Sequence, residues 1–148
     1  MEPELITKAD FDEIVASLAT FWGERDLSAL HHPMFFHEFG DSALLVRDDD
    51  GVVAAYLFGF ILPERRIGYV HLVAVRADQR RRGLGRLLYD RFRRLAYERG
   101  CRGIKAITTP GNAGSIAFHR AMGMKAVEVA DYAGRGRPRV ILTAPLTG

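Results

Sequence analysis

Hydrophobic and polar positions along this chain follow either the period of an α-helix or that of a β-strand. The positions where the period changes divide the chain into predicted elements. Apolar residues at helical spacing predict a helix from Thr7 or Asp10 to about Trp22 and a broken second helix within residues 24–39. The clearest helix spans residues 83–99, and a shorter one spans residues 112–122. Alternating or β-branched runs predict strands at residues 4–6, 42–47, 52–61, 67–75, 104–108, 125–131 and 138–146.

Strands and helices are intermixed along the chain. This order indicates one α/β domain of the α+β type over residues 1–148. We expect a mixed, mostly antiparallel sheet of about seven strands with one parallel step. About four helices should flank this sheet.

The composition is that of an ordinary globular domain, with 48% hydrophobic and 26% charged residues in 148. Its one cysteine, Cys101, excludes an intramolecular disulfide and suits a reducing cytoplasm, where we expect the protein to work. The first residues lack the basic and apolar stretches of a signal peptide, and there is no apolar run of about 18 residues. The sequence therefore predicts neither a leader nor a membrane span.

Charge is distributed unevenly along the chain. Residues 1–50 have a local balance of −9, while residues 76–102 contain ten arginines and have a balance of +7. Most of these charges are typical of solvated surface, but the segment from Arg80 to Gly85 also contains two glycines. This arginine and glycine segment is the strongest candidate for chemistry.

The segment from Val73 to Leu88 reads as a strand end, a turn with Arg80-Arg81-Arg82-Gly83-Leu84-Gly85, and a helix start. Helix N-termini carry unpaired backbone N–H groups and partial positive charge. Glycine allows close approach to the backbone, and arginine adds fork-shaped donors. Together these features predict a pyrophosphate site.

Three other phosphate-binding classes fit these residues less well. A nucleoside triphosphate loop needs a Gly-Lys-Ser or Gly-Lys-Thr ending, which is absent, and a dinucleotide fingerprint needs a glycine where Leu88 stands. A nucleic-acid surface needs stacking aromatics, whereas Tyr89, Phe92 and Tyr97 lie on or near the apolar helix face. We therefore expect no nucleic-acid partner.

The loop after the Val-Ala-Val strand end resembles the acetyl-CoA loop of the GNAT superfamily of N-acetyltransferases. A second segment, from Asn112 to Met124, is similar to the downstream CoA-side helix of that family, which an asparagine opens. The resemblance implies a sheet splayed between its fourth and fifth strands, with pantetheine in the gap on the backbone of Val73 and Val75. It assigns acetyl-CoA to Val73, Ala74, Val75, Arg80, Arg81, Arg82, Gly83, Leu84, Gly85, Arg86, Asn112 and Ser115.

Two histidines are candidate catalytic residues under this resemblance. His119 stands where the family usually has the tyrosine that protonates the leaving thiolate, and a histidine can also donate a proton at neutral pH. His71 lies in the strand before the loop, where members of the family often place a general base. Alternation puts Tyr69, His71 and Val73 on one face unless a bulge intervenes.

The resemblance places one wall of the acceptor site in the first 40 residues, where Trp22, Phe35 and Glu38 are the candidate substrate-binding residues. An aromatic ring and a carboxylate can hold an amine, and the acidic first 50 residues favour a cationic one. No histidine or cysteine spacing typical of a metal site occurs. The sequence thus predicts an N-acetyltransferase, with a non-catalytic acyl-CoA sensor of the same fold as the alternative and a homodimer as a possible assembly.

Overall fold

The computed structural model describes residues 1–147. Within them, one sheet contains seven strands, named β1 to β7: Glu4–Leu5, Ala43–Arg47, Val53–Leu62, Ile67–Val75, Gly103–Thr108, Lys125–Val129 and Arg139–Pro145. The α-helices of this part of the chain, named α1 to α5, are Lys8–Ala16, Leu18–Trp22, Met34–His37, Leu84–Glu98 and Ala113–Ala121. The predicted mixed sheet is confirmed.

The strands lie in the order β1-β2-β3-β4-β5-β7-β6, and every neighbouring pair is antiparallel except β4 and β5. The parallel pairing of β4 with β5 runs only from Ile67 opposite Gly103 to Val70 opposite Ala106. Beyond Val70, β4 continues to Val75 with β3 alone as its neighbour. The sheet therefore opens between β4 and β5, as the sequence resemblance implied.

A β-bulge in β4 lies where the sheet opens. Phe58 of β3 pairs with Leu72, and the next residue, Gly59, pairs with Val70, so His71 has no partner in the ladder. Such an extra residue bends its strand. The side chains beyond it then point to the opposite face from the one that simple alternation predicts. Tyr69 stacks on Phe60 and His71 packs against the same ring, while Val73 packs on the other face of the sheet. The prediction that Tyr69, His71 and Val73 share one face is therefore wrong for Val73.

Two core clusters lie on opposite faces of the sheet. The α4 cluster joins one face of the sheet to α4, α5 and the end of the chain through Val70, Leu84, Leu88, Phe92, Ile104 and Leu142. The N-terminal cluster joins the other face to α1, α2 and α3 through Phe11, Ile14, Phe21, Phe35, Leu45, Tyr56 and Phe58. Any ligand that enters the opening between β4 and β5 lies between these two faces.

The first helix differs from its prediction because it is divided into α1 and α2. Thr7 and Asp10 form a capping box at its start, but the Ser17 hydroxyl donates to the Glu13 carbonyl and the backbone of Ser17 leaves the helical region. A serine that bonds four residues back competes with the helical backbone pattern. The division turns α2 towards β4, where Phe21 and Trp22 reach the opening of the sheet.

Candidate active site

A cavity of about 1050 Å³ occupies the opening between β4 and β5. Its walls are the second half of β4, the end of β5, the N-terminal turns of α4 and α5, and the segment from Phe21 to Leu30. Leu84 and Gly85 line it on the α4 side, and Trp22 and His71 line it on the N-terminal side. The cavity therefore connects the two faces of the sheet.

The loop at the mouth of the cavity has an uncommon backbone. Arg81 has a φ of 68° and Gly83 has a φ of 73°, both in the left-handed region. An L side chain there costs roughly 1–2 kcal/mol, so Arg81 is strained while the glycine accepts this conformation without cost. Strain kept in place by its surroundings is typical of binding loops.

Two arginines, Arg80 and Arg76, hold this loop. The Arg80 guanidinium donates to the carbonyls of Val75 (3.3 Å) and Phe21 (2.9 Å), which ties the loop to β4 and α2. Arg76 forms ion pairs with Asp48 (2.6 Å) and Asp78 (2.7 Å) just before the loop. The hydrogen bond from Arg76 lowers the pKa of the Asp48 carboxyl and thereby keeps it charged.

The first turn of α4 offers backbone donors to the cavity. Gly83 is its N-cap, and no side chain in residues 1–147 caps this helix. The first intrahelical bond runs from the Leu87 N–H to the Gly83 carbonyl, which leaves the amides of Leu84, Gly85 and Arg86 for a ligand. A helix N-terminus with free amides and adjacent arginines is an anion site.

Gly85 allows α5 to pack closely on α4. A Cβ atom built on Gly85 would lie 2.9 Å from Cζ of Phe118 and 3.8 Å from the Val75 side chain. The Arg86 guanidinium reinforces this packing by donating to the Ala121 carbonyl at 2.9 Å. Gly85 thus sets the distance between the two helices that flank the cavity.

His119 and Tyr89 form a buried hydrogen-bonded pair in the cavity wall. His119 Nδ1 lies 2.7 Å from the Ser115 carbonyl, an acceptor only, so this nitrogen carries the hydrogen. Nε2 therefore accepts from the Tyr89 hydroxyl, also at 2.7 Å. Burial lowers the pKa of His119 and raises the pKa of Tyr89, which keeps both groups neutral at pH 7.

His71 faces the N-terminal side of the cavity. Its ring stacks on Phe35 at 4.5 Å between centroids, and Nε2 lies 3.2 Å from the Leu30 carbonyl. Since a carbonyl can only accept, Nε2 carries the hydrogen and Nδ1 keeps a free lone pair. Burial lowers the pKa of His71, so the ring is a neutral base near pH 7.

A sequence profile of the acetyltransferase (GNAT) family matches residues 11–124. The chain belongs to this family. It is therefore an acyltransferase. No curated protein matches the sequence at a significant level.

Solved structures of other GNAT proteins share this fold. Ard1 from Thermoplasma volcanium superposes with a TM-score of 0.81 at 19% identity, covering 99% of this chain and 97% of its own. Naa20 from Chaetomium thermophilum, solved with a bisubstrate analogue, gives 0.77 at 17% identity with coverages of 99% and 87%. The ribosomal-protein-alanine N-acetyltransferase from Brucella melitensis gives 0.74 at 22% identity with coverages of 99% and 100%.

Most of the GNAT loop residues predicted from the sequence lie in the cavity wall. Those that line it are Val73, Ala74, Val75, Arg80, Arg81, Gly83, Leu84, Gly85, Arg86, Asn112 and Ser115, whereas Arg82 is exposed outside the lining. The Asn112 side chain accepts from the Ser115 N–H at 3.2 Å and so caps α5. This cap leaves the Asn112 amide hydrogens free to donate into the cavity.

The predicted acceptor residues are separated by the fold. Trp22 lines the cavity, Phe35 is buried in the N-terminal cluster beneath His71, and Glu38 lies outside the lining. Residues 1–147 contain no group of three or more potential metal ligands and no helix long and apolar enough to cross a membrane.

A second polar network near the cavity escaped the sequence analysis. Trp22 Nε1 donates to the Tyr56 hydroxyl at 2.8 Å, and that hydroxyl lies 2.7 Å from Nε2 of His31. His31 Nδ1 lies 2.7 Å from the Leu27 carbonyl and closes the network. It holds the segment from Trp22 to His31 against the sheet. Its partners lie on three separate elements, so no local spacing indicates it.

Two buried histidines, His31 and His119, and the half-buried His71 predict that stability depends on pH. Burial lowers the pKa of His31, His71 and His119 below the value of about 6.5 that they have in the unfolded chain. Their contribution to stability is full above pH 6.5 and is lost as the pH falls, because the unfolded chain then binds more protons. We expect the urea midpoint to fall between pH 7.5 and pH 5.5.

The measurement is urea unfolding followed by circular dichroism at pH 7.5, 6.5 and 5.5. His31→Gln should reduce the pH dependence, whereas His37→Gln, on the surface of α3, should keep it. Equal midpoints at pH 7.5 and 5.5 in the parent protein would contradict the assignment of neutral buried rings.

Proposed function

We propose that this GNAT protein transfers an acetyl group from acetyl-CoA to a primary amine by direct attack in a ternary complex. The supporting observation is the single cavity that runs through the opened sheet. It has an anion site on the α4 side and a half-buried histidine beside an aromatic wall on the N-terminal side. Two substrates can therefore enter from opposite faces and meet between β4 and β5.

The residues on the α4 side fit the chemistry of CoA. The amides from Arg81 to Arg86 and the side chains of Arg81 and Arg86 match a pyrophosphate. The backbone of Val73 to Val75 has a free edge that can hydrogen-bond the pantetheine amides, since β5 has diverged from it. Asn112 supplies a further donor at the start of α5. Arg80 contributes by holding the loop, because its guanidinium is already bonded to two carbonyls.

On the N-terminal side, His71 is the proposed general base. Its free Nδ1 accepts a proton from the amine, and the neutral nitrogen attacks the thioester carbonyl carbon. A backbone amide near Val75 stabilises the negative charge that develops on the carbonyl oxygen. The C–N bond forms, the C–S bond breaks, the attacking nitrogen releases its second proton to water to become the amide, and the thiolate requires a proton. Orientation of the two substrates supplies most of the rate enhancement.

We assign the thiolate proton to the pair of Tyr89 and His119. In the resting pair both nitrogens of His119 are engaged, so His119 alone has no free hydrogen to donate. When His119 is protonated, Nε2 donates to the Tyr89 oxygen, and the Tyr89 hydroxyl hydrogen becomes available to the sulfur. His119 then returns to its neutral form. This route keeps the predicted acid role of His119 but places Tyr89 between it and the sulfur.

The test is an assay of free thiol with acetyl-CoA and a panel of primary amines, together with calorimetry of CoA binding. Thiol release that depends on an amine supports the proposal. Tight CoA binding without release across the panel would favour the acyl-CoA sensor. A homodimer and a cytoplasmic location remain predictions from the sequence.

A further inference from the structure

We propose that the amine acceptor carries an anionic group next to its amine, and that Arg25 and Arg139 bind this group. The inference rests on the proposed function and specifies the substrate class of the same cavity. It replaces the cationic acceptor that the acidic first 50 residues suggested.

The charges around the cavity are of one sign. Within the part of the chain that the structure describes, its lining contains the arginines Arg25, Arg80, Arg81, Arg86 and Arg139 and no aspartate or glutamate. An arginine-lined cleft attracts anions and disfavours cations, because little water separates the charges there. A cationic acceptor would meet no carboxylate in this lining.

Five of the twelve acidic residues in the first 50 positions form contacts outside the cavity. Asp10 and Glu4 both pair with Arg47 at 2.6 Å. Asp48 pairs with Arg76, Asp41 with Arg99, and Glu13 accepts from the Val53 N–H. These five carboxylates therefore hold parts of the scaffold in place, and no carboxylate of residues 1–50 lies in the cavity lining.

Arg139 lies on the acceptor side of the sheet. Its neighbour Val140 belongs to the α4 cluster, so the alternation of β7 directs Arg139 to the opposite face. Val140 pairs with Thr108, the last residue of β5, which places Arg139 just beyond the end of β5 at the mouth of the opening. Arg139 is thus separated by the sheet from the pyrophosphate loop.

Arg25 lines the cavity on the side of α2 and β4. It follows α2, and its guanidinium is 5.9 Å from the centre of the Trp22 ring. Trp22 packs against the N-terminal cluster, on the same face as Arg139. The two arginines therefore flank the acceptor half of the cavity, while Arg80, Arg81 and Arg86 flank the half that CoA would occupy.

The surface near these two arginines is apolar. Trp22, Leu27, Leu30 and Tyr69 all line this half of the cavity. A ligand that fits here has an amine that can reach His71, an apolar portion and a carboxylate for the arginines. Free amino acids and peptides with an acidic residue behind the N-terminus share this chemistry.

Two matched pairs of acceptors test the inference through KM in the thiol-release assay. The first pair is the peptide amides Ser-Asp-Ala and Ser-Asn-Ala. The peptide amide Ser-Lys-Ala is measured beside them as a cationic comparison. The second pair is leucine, which has a carboxylate, and leucinol, which has an alcohol in its place. We expect the anionic member of at least one pair to have a KM about tenfold lower, since a charge-assisted hydrogen bond contributes on this scale.

The arginine variants connect the preference to the proposed residues. Arg139→Gln and Arg25→Gln should each bring the ratio of the two KM values within a pair closer to one. The KM for acetyl-CoA should stay within about twofold of the parent value. Arg65→Gln is the matched control, because Arg65 is exposed in the turn between β3 and β4, at the far end of β4 from the cavity. It should leave the ratio unchanged.

The outcomes distinguish failure of the inferred anionic acceptor from failure of the proposed acetyltransferase function. A preference for leucine over leucinol identifies the carboxylate of a free amino acid, and a preference for the aspartyl peptide identifies an acidic peptide; both support the inference. Equal KM values in both pairs, or preference for the lysyl peptide, overturn it and leave the acetyltransferase activity established. Absence of thiol release with every acceptor overturns the proposed function as well.

Discussion

Replacing Gly85 with leucine should lower the affinity for CoA by roughly 100-fold, or nearly 3 kcal/mol. The Cβ atom alone would lie 2.9 Å from Cζ of Phe118, so a leucine side chain must push the Phe118 ring aside where α5 packs on α4. The displacement narrows the mouth of the cavity and moves the amides of the first turn of α4. Overpacking of this kind costs about 1–3 kcal/mol before any loss of ligand contacts. Isothermal calorimetry with CoA measures the change.

Two further glycine variants make this result specific. Gly83→Ala introduces a side chain at a φ of 73°, where strain of about 1–2 kcal/mol should weaken CoA binding about tenfold without filling the cavity. Gly111→Ala is the control, because nothing lies within 4 Å of its Cβ position and its φ is outside the left-handed region. Its CoA affinity should stay within about twofold. Unchanged affinity in both Gly83→Ala and Gly85→Leu would show that the α4 loop does not bind CoA.

Replacing His119 with alanine should lower turnover by about 100-fold while CoA affinity changes less than about threefold. The variant removes the group that passes a proton to Tyr89, but it leaves the α4 amides in place. Turnover of the parent enzyme should rise with pH as the amine and His71 lose protons. It should fall again as His119 loses its proton, and this descending limb should lie below pH 7 because burial lowers the pKa of His119. His119→Ala should lack this descending limb.

Tyr89→Phe provides the matched test of the route. It keeps the ring and deletes only the hydroxyl, so a loss similar to that of His119→Ala supports transfer through Tyr89. His119→Tyr restores the usual acid of the family and should retain activity. His37→Ala, on the surface, is the control and should behave as the parent. If His119→Ala matched the parent at every pH, His119 would have no chemical role and the sulfur would obtain its proton elsewhere.

His119→Ala also leaves the buried Tyr89 hydroxyl without its acceptor. An unsatisfied buried polar group costs about 1–3 kcal/mol, and the deleted ring adds a cavity, so this variant should unfold at lower urea concentration. Turnover must therefore be compared at a temperature where circular dichroism shows every variant folded. Tyr89→Phe leaves the ring volume intact and separates loss of stability from loss of proton transfer.

Local patterns in the sequence were sufficient for the scaffold and for one wall of the cavity. The helical stripe of α4, the β-branched run of β4 and the glycine stop at Gly100 act through near neighbours along the chain, and all are realised in the structure. The Arg80 to Gly85 loop could be predicted for the same reason. A strand end, a left-handed glycine and a helix N-terminus lie within a few residues, and together they define an anion site.

Only the tertiary structure decided how the candidate proton-transfer and acceptor residues are arranged, because their interactions join residues far apart in sequence. Tyr89 and His119 are 30 positions apart, and their hydrogen bond fixes the tautomer on which the proton route depends. The bulge at His71 arises from pairing with β3 and sends Val73 to the other face. The sum of charges in residues 1–50 is a property of the sequence. Packing determines which of those carboxylates pair with an arginine outside the cavity. It also determines which arginines line the cavity.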